Sequence, residues 1–236
     1  MTGQLAFDLP ARPALGREDF FASPSNATAL AAVEAPEDWP GGRLLIVGPK
    51  GAGKTHLVHV WAAMGHGTQL IAAADLAVAD IPGLAAGGAV AVEDAEGAQG
   101  VAETALFHLH NLLDQTGGRL LITAQAPPRD WGLALPDLQS RMEAMPLVRL
   151  DPPDDALLAA VLAKLFADRQ MAVPGAVIAY LLPRMERSFA AAAAIVARLD
   201  AAALARKASI TLRLAAEVLD SGIADGEDAR LPNASP

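Results

Sequence analysis

Residues 48 to 55 read Gly-Pro-Lys-Gly-Ala-Gly-Lys-Thr and meet the pattern Gly-x-x-x-x-Gly-Lys-Ser/Thr at each fixed position, Gly48, Gly53, Lys54 and Thr55. That spacing suits the holding of phosphate. Glycines let the backbone curl until successive N–H groups point at phosphate oxygens. A helix starting near Lys54 adds its positive end. Lys54 sets an ammonium against the β- and γ-phosphates, and the Thr55 hydroxyl ligates Mg²⁺. The predicted nucleotide contacts are therefore Gly48, Pro49, Lys50, Gly51, Ala52, Gly53, Lys54, Thr55 and His56. An ordinary Gly-rich turn accounts poorly for the full pattern between a strand and a helix.

Phosphate chemistry also needs acid at the end of a neighbouring strand. Ala89-Val90-Ala91-Val92-Glu93-Asp94 supplies an apolar run that delivers two carboxylates. One holds Mg²⁺ through water and the other polarises an attacking water, which makes Thr55, Glu93 and Asp94 the metal candidates and Asp94 a catalytic one. The usual order places Asp first. Glu93 stands there instead and weighs against fast hydrolysis. The alternative is a strand end with two solvated acids.

The elements that must position these groups alternate. Arg43 to Val47 is a short branched-rich strand, Lys54 to Met64 a helix, Gln69 to Ala72 a second strand and Ala89 to Val92 a third. Glu103 to Gln115 is an amphipathic helix with Leu106, Leu109, Leu112 and Leu113 on one side, and Arg119 to Thr123 a fourth strand. Ahead of them Phe20 to Val33 reads as helix, with Ser23 or Ser25 as its cap. This pattern predicts an α/β fold with a central parallel sheet flanked by helices. After Leu150 only helical patterns occur, over 155–169, 174–185, 189–206 and 212–219, and they predict a small all-helical lid. The predicted organisation is an N-terminal flexible arm at 1–18, a P-loop domain at 19–150, a helical lid at 151–220 and a disordered tail at 221–236.

Composition narrows the chemistry further. The chain has 236 residues, 53% hydrophobic, and no cysteine, which excludes disulfides and thiolate metal sites. Its formal net charge of −9 argues against autonomous duplex binding. No secretory signal or membrane span is visible, so a cytoplasmic protein with no membrane partner is expected. His56 and His59, and His108 and His110, lack a carboxylate or cysteine cluster at ligand spacing and read as surface or packing residues.

Further motifs carry a resemblance. Leu120-Leu121-Ile122-Thr123, Pro127-Pro128 and Leu135-Pro136-Asp137-Leu138-Gln139-Ser140-Arg141 resemble the AAA+ core of the DnaA family, and more closely its Hda-type regulators. Asp19-Phe20-Phe21 through Asn26 is similar to that family's adenine-side segment, and Met185-Glu186-Arg187-Ser188-Phe189-Ala190 to its sensor-2 region. The likeness spans roughly residues 19–220. It implies an AAA+ P-loop domain that binds ADP or ATP with Mg²⁺, with Glu93 and Asp94 as Walker B acids. Phe20, Phe21 and Asn26 would lie beside the base. Arg187 would be the sensor-2 arginine, and Arg141 an arginine finger directed into a neighbouring subunit. Without the resemblance, Arg141 reads as an exposed helix-capping arginine. At the sensor-1 position the chain has Ala124-Gln125 rather than the usual small polar or acidic group. With Glu93, this implies weak or no intrinsic ATPase.

The choice within the family rests on two expected absences and one motif. Nothing after the lid reads as a DNA-binding helix-turn-helix, and Ile71 to Gly88 has room for at most a short helix where initiators carry an insertion. Gln4-Leu5-Ala6-Phe7-Asp8-Leu9 resembles a sliding-clamp-binding peptide, with Leu5, Phe7 and Leu9 for a hydrophobic groove and Gln4 for a directional hydrogen bond; alone, it reads more readily as a disordered tail with incidental apolar residues. The implied function is negative regulation of replication initiation. The partners are DnaA and the DNA polymerase III sliding clamp, with DNA reached mainly through the clamp and self-association open. The alternatives are an AAA+ ATPase acting itself as an initiator- or helicase-loader-like factor, a small-molecule P-loop kinase and a truncated initiator.

Overall fold

A computed structural model describes residues 16–65 and 67–227, with side chains to 220. The arm residues Gln4, Leu5, Phe7 and Leu9 lie outside the described residues. Five strands, β1 (Arg43–Val47), β2 (Gln69–Ala72), β3 (Ala89–Glu93), β4 (Arg119–Ala124) and β5 (Leu147–Arg149), form one sheet in the order β2-β3-β4-β1-β5, with each neighbouring pair parallel. β1 is buried along its whole length, as its run Arg-Leu-Leu-Ile-Val requires of a strand covered on both faces. Leu44 and Ile46 pack on α1 (Ala27–Glu34) and α2 (Lys54–Ala62), with Leu30, Val33, Leu57 and Trp61. Leu45 and Val47 pack on the other face with Leu106, Leu109 and Leu113 of α4 (Val101–Thr116) and Leu138 and Met142 of α5 (Pro136–Glu143). Each parallel connection thus returns over one face or the other, the layered arrangement expected of the alternation.

The lid is a separate helical cluster of α6 (Asp155–Asp168), α7 (Gly175–Leu181), α8 (Phe189–Arg206) and α9 (Leu212–Glu227). Leu158, Leu162, Phe166, Leu181, Ile195, Val196 and Leu199 form its own core. Asp154 and Ser188 cap α6 and α8 by accepting the N–H groups of Leu157 and Ala191.

Four local expectations are revised. The helix expected from Phe20 begins only at Ala27, because Asn26 ties the preceding turn: its Oδ1 accepts Ser23 N–H at 2.9 Å and its Nδ2 donates to the Phe21 carbonyl at 2.9 Å. Asn26, not Ser23 or Ser25, stands at the cap position. β5 and α5 are elements the pattern did not assign, since a three-residue edge strand has no period to read. The last helix runs to Glu227 rather than ending at Leu219, so part of the expected tail is helical; Gly222 and Gly226 are tolerated inside it at roughly 1 kcal/mol each relative to Ala. The segment 71–88 holds a 3₁₀ stretch at Ala73–Val78 and the short helix α3 (Ile81–Ala86), within the limit set by its composition. No helix among the described residues is long and apolar enough to cross a membrane.

Candidate nucleotide-binding site

The loop of residues 48–53 leaves the carboxyl end of β1, turns through Gly51 (φ +77) and Gly53 (φ +103), and opens α2 at Lys54. These left-handed conformations are what glycine supplies without steric penalty, and they put the head of α2 at the end of the sheet. Lys54 is buried, and its Nζ donates to the carbonyls of Gly48 at 2.8 Å and Pro49 at 3.0 Å. Burial pushes its pKa down, while the fields of Asp94, Glu96 and Glu93 oppose that shift. The ammonium is therefore held at the loop among three carboxylates. Thr55, the next residue, is exposed.

The acids follow from the register of β3. Val92 stands opposite Ile122 of β4, so Glu93 and Asp94 emerge level with the end of β4, beside the P-loop. Asp94 sits at φ +53 and its N–H donates to Thr123 Oγ1 at 3.3 Å. Thr123 is 1% exposed. It is the polar group that meets the acid loop, one residue ahead of the Ala124-Gln125 pair at the expected sensor-1 position. Gln125 is exposed, and its backbone N–H is taken by Glu96 Oε1 at 3.1 Å. Glu96 is a third acid that the strand-end pattern missed, because it lies past the strand in a 3₁₀ turn. Among the described residues no group of three or more His, Cys, Asp or Glu side chains forms a metal cage. Thr55, Glu93 and Asp94, the residues expected to hold Mg²⁺, carry hard oxygen donors of the kind that share this ion with phosphate oxygens and water.

The lid meets the P-loop directly. Phe189 N–H donates to the Gly51 carbonyl at 3.1 Å. A methyl group at Gly51 would stand 2.6 Å from Ser188 Cβ, and one at Gly53 would stand 2.9 Å from the Phe189 ring. Arg187 thus lies next to the residue that touches the loop, but its guanidinium pairs with Asp155 of α6 at 2.9 Å. The segment ahead of α1 closes the side of the cleft. Phe20 is buried edge-on against His56, with ring centroids 5.0 Å apart, and His56 Nε2 lies 3.0 Å from the Gly16 carbonyl. Burial lowers the His56 pKa. Phe21 is exposed, while both ends of the Asn26 amide are spent within its own turn. Asp19 bridges to Lys164 of α6 at 3.1 Å and ties this segment to the lid.

Arg141 stands apart from this cleft. Parallel pairing obliges α5 to carry the chain from the carboxyl end of the sheet back toward its amino end. Arg141 occupies its last turn, within the electrostatic reach of His110, whose carbonyl receives Arg43 at the start of β1. The P-loop lies beyond the other end of β1. The Arg141 guanidinium lies over the Phe107 ring, 5.6 Å from its centroid, and has no ion pair or hydrogen bond among the described residues.

No protein-family model matches the chain. Solved structures do. Domain III of the replication initiation protein DnaA from Thermotoga maritima superposes with a TM-score of 0.76 at 20% identity, over 90% of this chain and 98% of that one. AMPPCP-bound DnaA from Aquifex aeolicus gives 0.66 at 20% identity, over 80% of this chain and 66% of that one. The Holliday junction branch migration motor RuvB of Thermotoga maritima gives 0.67 at 17%, over 87% and 71%. Identities this low speak to architecture alone, and the architecture is specific: the chain has the AAA+ fold shared by DnaA domain III and RuvB.

Proposed function

We propose that this chain is a nucleotide-binding regulator of replication initiation, of the Hda type, which promotes hydrolysis of ATP bound to DnaA. In this reading the cleft holds ADP or ATP with Mg²⁺ at Gly48 to His56. Lys54 neutralises phosphate charge, and Thr55 with Glu93 and Asp94 holds the metal, partly through water. The metal would supply charge neutralisation on the phosphates. Arg187 leaves Asp155 for the phosphates when nucleotide is present. The arm at Gln4, Leu5, Phe7 and Leu9 tethers the protein to the DNA-loaded sliding clamp and raises its local concentration at DnaA, a gain that needs no further contact.

The observation that carries this reading is the state of Arg141. A half-buried guanidinium with no carboxylate partner among the described residues, lodged on Phe107 in the last turn of a helix that leads away from the P-loop end of the sheet, supports a role outside its own nucleotide site. It is suited to enter another subunit's site, where arginine supplied in trans stabilises charge on the transferring phosphoryl group and accelerates hydrolysis by roughly 10³ to 10⁵ in known cases. The own-site acids support a holding role instead: Glu93 stands first, and Gln125 presents only an exposed side chain at the sensor position.

The test is hydrolysis of DnaA-bound ATP with and without clamp-loaded DNA. The protein should accelerate it, and Arg141→Ala should lose at least about 10³ of that acceleration while retaining nucleotide binding. Full activity of Arg141→Ala sinks the finger assignment. Turnover by the isolated protein that collapses in Asp94→Asn would favour the alternative, an ATPase acting on its own account.

A further inference from the structure

The short stretch after Asp94 grips the loop ahead of α5 at three points. Glu96 Oε1 accepts the Gln125 N–H at 3.1 Å. Gln99 Nε2 donates to the Trp131 carbonyl at 3.3 Å. Glu103 Oε1 accepts the Leu135 N–H at 2.7 Å, and Leu135 is the residue at the head of α5. The other side-chain hydrogen bonds of this loop, Trp131 Nε1 to the Ala126 carbonyl and Gln139 Nε2 to the Pro128 carbonyl, stay within the loop and α5. Among the described residues, the polar ties that fix the entry of α5 to the rest of the molecule therefore come from side chains 96, 99 and 103.

Glu103 is an unusual choice for that duty. It is 2% exposed, in the first turn of α4. A buried carboxylate is expensive unless compensated. The positive end of α4 and a short hydrogen bond from backbone compensate it. An apolar residue would pack there more cheaply, so the carboxylate is there for the bond it makes. Glu96 connects the other end of the strut to the nucleotide cleft. It contributes to the field at Lys54, and its second oxygen is buried without a donor. The Glu96 carboxylate thus lies within the electrostatic reach of Lys54.

We propose that Glu103 is a positioning residue for α5, and that Glu96, Gln99 and Glu103 form a strut through which occupancy of the P-loop sets the position of Arg141. The proposal rests on the nucleotide-binding reading above. Phosphate and metal at Lys54 and Asp94 shift the Glu96 carboxylate. Its bond to Gln125 moves the loop, and Glu103 holds the far end of that loop at the first turn of α5. Arg141, in the last turn of the same helix, follows.

Hydrogen exchange with and without saturating Mg-ADP reads this without any partner protein. In the wild type, nucleotide should slow exchange across Leu135 to Glu143 roughly tenfold, the scale of one charge-assisted hydrogen bond. Glu103→Ala should lose that response while its ADP affinity stays within about twofold, and Glu103→Gln, which keeps an acceptor oxygen, should recover it in part. A merely structural Glu103 would change the melting temperature and leave the nucleotide response of α5 in place. Should Glu103→Ala fail to fold, Glu96→Ala must lose the response instead. A nucleotide-saturated wild type whose α5 exchange does not change overturns the strut, as does an Ala variant that keeps the full response. A wild type that binds no Mg-ADP refutes the nucleotide reading itself.

Discussion

Replacing Gly51 by alanine probes whether the lid is seated on the P-loop. Gly51 has φ +77, in the left-handed region, where a side chain costs about 1–2 kcal/mol. A methyl group there would also stand 2.6 Å from Ser188 Cβ and 3.3 Å from its Oγ. Ser188 is 4% exposed and caps α8 by accepting Ala191 N–H at 3.1 Å, and the following N–H donates to Gly51 itself. Displacing Ser188 therefore puts at risk a cap worth about 1 kcal/mol and a backbone hydrogen bond of about 1 kcal/mol. The total comes to about 3–4 kcal/mol. Gly65→Ala is the matched control: its φ is +88 and, its chain neighbours aside, no atom among the described residues lies within 4 Å of the added methyl, so it pays the backbone term alone. Gly175→Ala completes the series, since Gly175 opens α7 with free space around it and no left-handed φ, and should stabilise by about 0.4–1 kcal/mol. Urea unfolding of the three variants gives the comparison. If Gly51→Ala costs no more than Gly65→Ala, the contact between lid and P-loop is not an energetic one and the seating argument fails.

Two further outcomes follow from the charges. Asp155→Asn should leave stability within about 0.5 kcal/mol, because both partners of the Arg187 pair are more than half exposed; by freeing Arg187 it should raise ADP affinity a few-fold, and calorimetric titration showing unchanged or weaker affinity would remove Arg187 from the site. His110 is 7% exposed, and burial, with Arg43 and Arg141 adding to it and Asp114 opposing, lowers its pKa from 6.5 to about 4. The unfolded chain then takes the proton first, so stability from this group is complete above pH 6.5 and declines as pH falls from there toward about 4. The loss should be about 1–3 kcal/mol. Denaturation across that window should show it, and His110→Gln should flatten the slope; an equal slope in the variant would assign the pH dependence elsewhere.

What could be read in advance divides along physical lines. Strands β1, β3 and β4 announce themselves as continuous apolar runs covered on both faces, and helices α2, α4, α6 and α8 because each buries one side at helical spacing. β5 does not, since three residues at the sheet edge with two of them exposed carry no pattern. The turn before α1 misleads for a different reason. Its residues have helical spacing, but the Asn26 amide spends both its ends on local backbone and offers the chain a better partner than a first helical turn. Site residues divide in the same way. Gly48, Lys54 and Thr55 stand in one contiguous pattern whose spacing is set by phosphate, and Glu93 and Asp94 in a second, an apolar strand ending in acids. Thr123, Glu96 and Glu103 are brought to their places by β-sheet register and by long-range hydrogen bonds. Neither leaves a mark along the chain; a polar residue inside an apolar strand, as Thr123 is, was the one available hint.

Gly51 links both kinds of information. The phosphate pattern leaves this position free, so nothing about nucleotide chemistry requires a glycine there. Gly48 and Gly53 are fixed by the pattern, yet their surroundings would demand them independently: a methyl at Gly48 would run into the backbone carbonyl of Leu150, and one at Gly53 into the Phe189 ring. The head of α8 therefore lies against the loop at Gly51 and Gly53, and the end of the sheet domain at Gly48. At Gly51 and Gly53 the room that a side chain would need is taken by Ser188 and Phe189, so a change of curl at these two positions meets the head of α8. On the proposed reading, nucleotide occupancy and lid position would be coupled through this contact, and Arg187 would exchange its Asp155 partner for phosphate.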